Sequence, residues 1–153
     1  MGWDTTSVFL QKTILCTRRW PLLPVRDDIL VLHADAPEGG RMGALIRAWL
    51  QGIGVELPNQ GAAAQRAAQA WHDLKHLPLN RGAKNVVLVV HHSERLDAVV
   101  LARMKAVRET WDWTPVVATV VLEGDLAVLE PRLGGIDELR GRYDIVPEFV
   151  LLD

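Results

Sequence analysis

Three clusters of ionisable residues each follow an apolar run: His33-Ala34-Asp35, His91-His92-Ser93-Glu94 and Glu123-Gly124-Asp125. Imidazoles and carboxylates are the side chains that carry protons near neutral pH and ligate metal ions. Brought together, such clusters would support acid–base or metal-assisted hydrolysis. His91, His92, Glu94, Glu123 and Asp125 form the candidate catalytic set. His33, Asp35 and Ser93 are candidate ligand-binding residues. Each also has a structural reading. Ser93 suits an N-cap, with Glu94 in the first turn of a helix favoured by the helix dipole. Asp35, just before Pro37, suits another cap. Adjacent histidines in extended chain face opposite ways, so at most one of His91 and His92 should face a given pocket.

Other strings carry less. Gly39, Gly40 and Gly43 would fit a phosphate loop, but Asp35 and Glu38 repel phosphate and no P-loop lysine follows. His72 and His76 share a helix face at a spacing that can grip zinc. Their neighbour is Asp73 rather than the glutamate of a zinc protease, and Gln65 and Gln69 make the face a solvated one. Glu123-Gly124 resembles the first half of a Toprim nuclease site, whose second half, an Asp-x-Asp after a later strand, is missing. The sequence assigns no metal and no cofactor.

The elements that must position these residues follow from periodicity. Ile29 to Leu32 and Val86 to Val90 are continuous apolar runs, as expected of strands covered on both faces. Thr114 to Leu122 is a third strand, with Pro115 at its start. Val55 to Leu57 and Phe149 to Leu152 are expected as two more. Helical stripes run through Met42–Ile53 and Ala62–Leu77, and through Glu94–Trp111. Gly52 and Gly54 should end the first, and Pro78 should stop the second. Short helical pieces are expected on either side of Pro131. Alternation of this kind predicts an α/β fold. The expected form is a three-layer sandwich, with a five-stranded, mostly parallel sheet in flavodoxin-like order and helices on both faces. The carboxyl ends of parallel strands lie along one rim, where ligand sites form, so the polar clusters would gather there.

The chain has 153 residues, a size that suits a single α/β domain over 1–153, with residues 1–24 as lead-in and connector. Its formal net charge of -2 with dispersed basic residues argues against nucleic acid as a partner. Cys16 is the lone cysteine, so no internal disulfide and no thiolate cage can form. No apolar run reaches the ~20 residues of a membrane span, and the N-terminus lacks a signal-peptide layout. Gly2 and Thr6 fit the loose myristoylation pattern. A cytoplasmic protein is expected. Six tryptophans stand against one tyrosine. Trp49, Trp71 and Trp111 fall on core-facing stripes, whereas Trp3, Trp20 and Trp113 do not and are candidate interface residues.

Residues 29 to 123 resemble a divergent TIR-type domain. The resemblance lies in ILVLHADAPEGG, LIRAWLQGIGVELP and NVVLVVHHSE, a strand and polar loop, a helix with a glycine turn, and a valine-rich strand ending at a serine. It implies a flavodoxin-like fold. NAD-cleaving members carry a glutamate a few residues into the helix after that serine. Here only Asp97 is near, and it comes too early. The resemblance therefore implies an interaction or signalling role more than NAD cleavage. The expectation is a non-catalytic interaction or signalling domain that self-associates or joins a larger complex. The alternative is a metal-dependent hydrolase or nuclease at the strand rim.

Overall fold

A computed structural model describes residues 5–9, 28–39, 41–57, 61–137, 139 and 144–146. Trp3, Cys16, Trp20 and the expected strand through Phe149–Leu152 lie outside these residues. The strands are β1 (Thr5–Phe9), β2 (Ile29–Asp35), β3 (Asn85–His91), β4 (Val117–Asp125) and β5 (Asp144–Val146). The helices are α1 (Met42–Gln51), α2 (Ala63–Asn80), α3 (Ala98–Ala102), α4 (Met104–Glu109) and α5 (Leu126–Gly134), with a 3-10 turn at Ser93–Arg95.

Three parallel strands form the heart of the sheet. Ile29 pairs with Asn85 and Asp35 with His91, while Asn85 pairs with Val117 and Val90 with Leu122. Val86 to Val90 are all 1 % exposed or less, which explains the unbroken apolar run. Fully burying a side chain of this size contributes about 1.5–3 kcal/mol, so β3 anchors the sheet. The sheet order is β2-β3-β4-β1-β5, with β1 antiparallel to both β4 and β5.

This order departs from the flavodoxin-like expectation because Val55 to Leu57 is not a strand. The Val55 N–H donates back to the Leu50 carbonyl, so these residues finish the α1 terminus. Val55 and Leu57 pack on the core from a loop. With no strand there, β2 stands at the sheet edge and the parallel strands follow in chain order. Helices on both faces are likewise not seen among the described residues. Leu32, Ala34, Val86, Leu88, Val90, Ala118, Val120 and Leu122 join buried residues of α1, α2, α3, α4 and α5 in one cluster. The alternate positions Val87, Val89, Thr119 and Val121 are buried outside that cluster.

Other boundaries moved for local reasons. The expected helix from Glu94 to Trp111 is broken because Leu96 is extended, and the Asp97 carboxylate then caps α3 by accepting from the Val100 N–H. Pro78 lies inside α2, two residues before its end, and Pro131 lies inside α5. Gly52 is right-handed, and its need is space, since a Cβ there would come within 3.0 Å of the His33 carbonyl oxygen. Gly54 takes the left-handed turn, with φ 82°.

Trp49 and Trp111 are buried to 0 % and 1 % exposure. A buried indole N–H needs an acceptor. Trp49 Nε1 donates to the Val89 carbonyl at 3.0 Å and Trp111 Nε1 to the Lys75 carbonyl at 2.9 Å. Trp49→Phe keeps most of the bulk and loses the hydrogen bond, so it should lower unfolding stability in urea by about 1–2 kcal/mol, whereas Trp49→Ala should cost about 3–5 kcal/mol.

Candidate functional site

The parallel register builds the site. Asp35 is the partner of His91, and continuing the Val90–Leu122 pairing one residue sets His91 beside Glu123. His33 lies two residues before Asp35, on the same side of β2. The antiparallel β1 borders the other side of β4, with Ser7 opposite Glu123 in register. Three strands thus deliver His33, Asp35, His91 and Glu123 to one rim.

The side chains meet there in a chain of hydrogen bonds. His91 Nδ1 lies 3.1 Å from Glu123 Oε1, and His91 Nε2 lies 2.9 Å from His33 Nδ1. The two imidazole planes are parallel within 4° and their centroids are 5.2 Å apart. With facing nitrogens at hydrogen-bond distance, that is an edge-to-edge bonded pair rather than a face-to-face stack. A carboxylate only accepts, so His91 Nδ1 donates to Glu123. The Nε2 of neutral His91 then accepts from His33 Nδ1. The Nε2 of His33 is left over, and among the described residues it has no hydrogen-bond partner.

Proton affinity is unequal along the chain. The hydrogen bond to Glu123 raises the His91 pKa above 6.5, against the opposing effect of burial, with further help from the charges of Glu123 and Asp35. Burial lowers that of His33 below 6.5, and the neighbouring His91 lowers it further, with Glu123 opposing. A proton added to the pair therefore settles on His91.

His92 reaches Asp35, with Nδ1 3.0 Å from Oδ1. Both side chains are well exposed. The two adjacent histidines therefore serve one cluster, contrary to the alternation rule. The reason is the backbone at His92, which is left-handed at φ 55°.

The remaining candidates support the rim structurally. Ser93 is fully buried and its hydroxyl donates to the Val90 carbonyl at 2.8 Å, so it closes the turn and offers nothing to a ligand. It does not cap a long helix either. Glu94 Oε2 accepts from the Asp125 N–H at 3.3 Å. Asp125 caps α5 by accepting from the Ala127 N–H at 2.9 Å. Arg132, which the sequence did not single out, donates from Nη1 to the carbonyls of Glu94 and Leu96. It fastens the 93–95 turn to α5, and no motif marks such a contact with backbone. Gly124 lets the turn close in, since a Cβ there would collide with the Glu94 carboxylate and stand 3.1 Å from the Glu94 backbone nitrogen. Among the described residues no group of three or more His, Cys, Asp or Glu is arranged to hold a metal ion. His72 and His76 pair on α2, away from the rim, with ring centroids 4.3 Å apart.

Two outcomes are expected. Gly124→Ala should destabilise the fold by about 1–3 kcal/mol in chemical unfolding, because the new methyl meets backbone. The combined contribution of His33 and His91 to stability should also be greatest near pH 6.5. His33 binds protons less tightly in the folded state, so its contribution is lost as pH falls below 6.5. His91 binds them more tightly, so its contribution is complete below 6.5 and is lost as pH rises through its folded value. Glu123→Gln removes the main cause of the His91 shift, so thermal unfolding from pH 5 to 9 should show a weakened alkaline decline.

Comparison of the chain with protein-family models, with curated proteins and with solved structures finds no match.

Proposed function

We propose that this protein is a hydrolase that works by acid–base catalysis at the carboxyl rim of its parallel strands. The observation that carries the reading is the Glu123–His91–His33 hydrogen-bonded chain. A carboxylate that fixes the tautomer of an imidazole, which in turn orients a reacting group, is the arrangement that general-base catalysis needs. Here the group oriented is a second imidazole, and the base is His33 Nε2. It would take a proton from water while the charge passes inward to His91, beside Glu123.

The substrate class follows from charge. Asp35 and Glu123 stand in the cluster itself, and Glu94 and Asp125 border it. A phosphate anion would be repelled there. A neutral ester or amide would not, and its carbonyl carbon is a suitable target for activated water. The metal-dependent form of this reading finds no ligand set among the described residues, so the mechanism rests on the imidazoles.

The reading is tested with a panel of neutral esters. The wild-type protein should hydrolyse at least one, and His33→Gln should lower kcat/KM by about 100-fold or more. Activity should rise with pH as His91 gives up its proton above 6.5. Glu123→Gln should move that rise to lower pH. Hydrolysis by His33→Gln at the wild-type rate would sink the proposal.

A second reading is the interaction domain, distantly TIR-like. It is favoured by Trp113, which is fully exposed with φ 67° beside the exposed Val117. Both border a recess of about 190 Å³ that also includes Arg108 and Asp112. This surface precedes β4, whereas the histidines lie at its far end. Val117 and Glu123 are six residues apart along β4, at about 3.3 Å each, so a protein partner here would leave the rim open. Trp113→Ala should abolish any self-association seen by light scattering without lowering the melting temperature.

A further inference from the structure

Successive side chains of an extended strand face opposite ways. On that rule His91 and His92 cannot share a site, and they share one only because the chain turns left-handed at His92, with φ 55° and ψ 44°. That region is strained for a residue with a Cβ and free for glycine. Gly39, Gly54, Gly61 and Gly82 use it, and among the described residues His92 and Trp113 are the non-glycine residues that do. The turn swings the His92 ring onto Asp35, the register partner of His91.

Stability does not account for the strain. The His92 and Asp35 side chains are 52 % and 72 % exposed. A polar contact so open to water contributes little. A strained histidine without a buried contact, held against a carboxylate that also bears on His91, is a marker of a functional position.

We propose that His92 is the general acid of the rim, with Asp35 as its positioning partner, an assignment that rests on the hydrolase reading above. The step balances with water as co-reactant. Water gives a proton to His33 Nε2 as its oxygen bonds to the carbonyl carbon. The bond from that carbon to the leaving oxygen or nitrogen then breaks, and the leaving atom keeps the electron pair. It takes a proton from Nε2 of the imidazolium form of His92, whose Nδ1–H stays on Asp35. Solvent removes the proton gained by the His33–His91 pair and returns one to His92, which restores the site.

A general acid matters most when the leaving group is poor. The test compares His92→Gly with wild type on an activated aryl ester and on an alkyl ester of the same acid, alongside thermal unfolding. Glycine accepts the left-handed turn, so His92→Gly should melt at or above the wild-type temperature. Hydrolysis of the alkyl ester should fall by about 100-fold, and the loss on the aryl ester should be about tenfold smaller. Asp35→Asn should reproduce the same selectivity more weakly. Equal losses on both esters, or a markedly lower melting temperature, would show a structural His92 and overturn the proposal. A wild-type protein inert towards both esters would mean that the hydrolase reading itself has failed.

Discussion

The parallel pairing of β2, β3 and β4 is the constraint on which the rim depends. Each strand end carries its own polar residues. The register Asp35↔His91, extended to Glu123, turns three separate sequence clusters into neighbours. A slip of one residue would send every side chain of a strand to the other face. The slip is opposed by the buried valines of β3 and by the Ala36 N–H, which donates to the His91 carbonyl at 2.8 Å. The core thereby fixes the site, because the same alternation that buries Val87 and Val89 delivers His91 to the face of Glu123.

Around this rim the backbone is unusually tight. Gly124 admits the 93–95 turn against β4, and Arg132 ties that turn to α5 through two carbonyls. Ser93 closes the turn from inside, and Glu94 spans to the start of α5. These contacts have a shared effect. They hold the segment after β3 so firmly that His92 can be kept in a left-handed conformation. Strain of this kind persists only where the surroundings over-determine it. Ser93, Glu94 and Asp125, which look catalytic by type, all make contacts that frame the rim.

Much of this was legible in the sequence, and the rest was not for identifiable reasons. Asn85 to His91 reads as a central strand because five consecutive buried positions leave no polar face. The placement of polar clusters at strand ends follows from the same pattern. Val55 to Leu57 misleads because apolar residues in a loop bury themselves as readily as those in a strand, and only the hydrogen bond from Val55 to Leu50 distinguishes the cases. The break at Leu96 is hidden because the stripe of Leu96, Val100, Met104, Val107 and Trp111 survives it, all of them buried on both sides of the interruption. The convergence of His91 with His92 could not be read either. It depends on one backbone angle at a residue type that rarely takes it.

The rim raises a question about basicity. His33 is half-buried and binds protons less readily than a free imidazole, so alone it would be a poor base at neutral pH. Its partner changes that. The facing nitrogens of His33 and His91 lie 2.9 Å apart and share a hydrogen. When His33 Nε2 gains a proton, the hydrogen on Nδ1 can cross to His91, and the positive charge then rests against Glu123. No heavy atom has to move. The pair titrates as a unit, and its first proton is held with the affinity of His91 rather than that of His33. The free Nε2 of His33 thus belongs to a neutral imidazole that is coupled to the greater basicity of a carboxylate-bonded one. An arrangement of three side chains separates the place where the proton is taken from the place where its charge is stored, and it needs all three strands to do so.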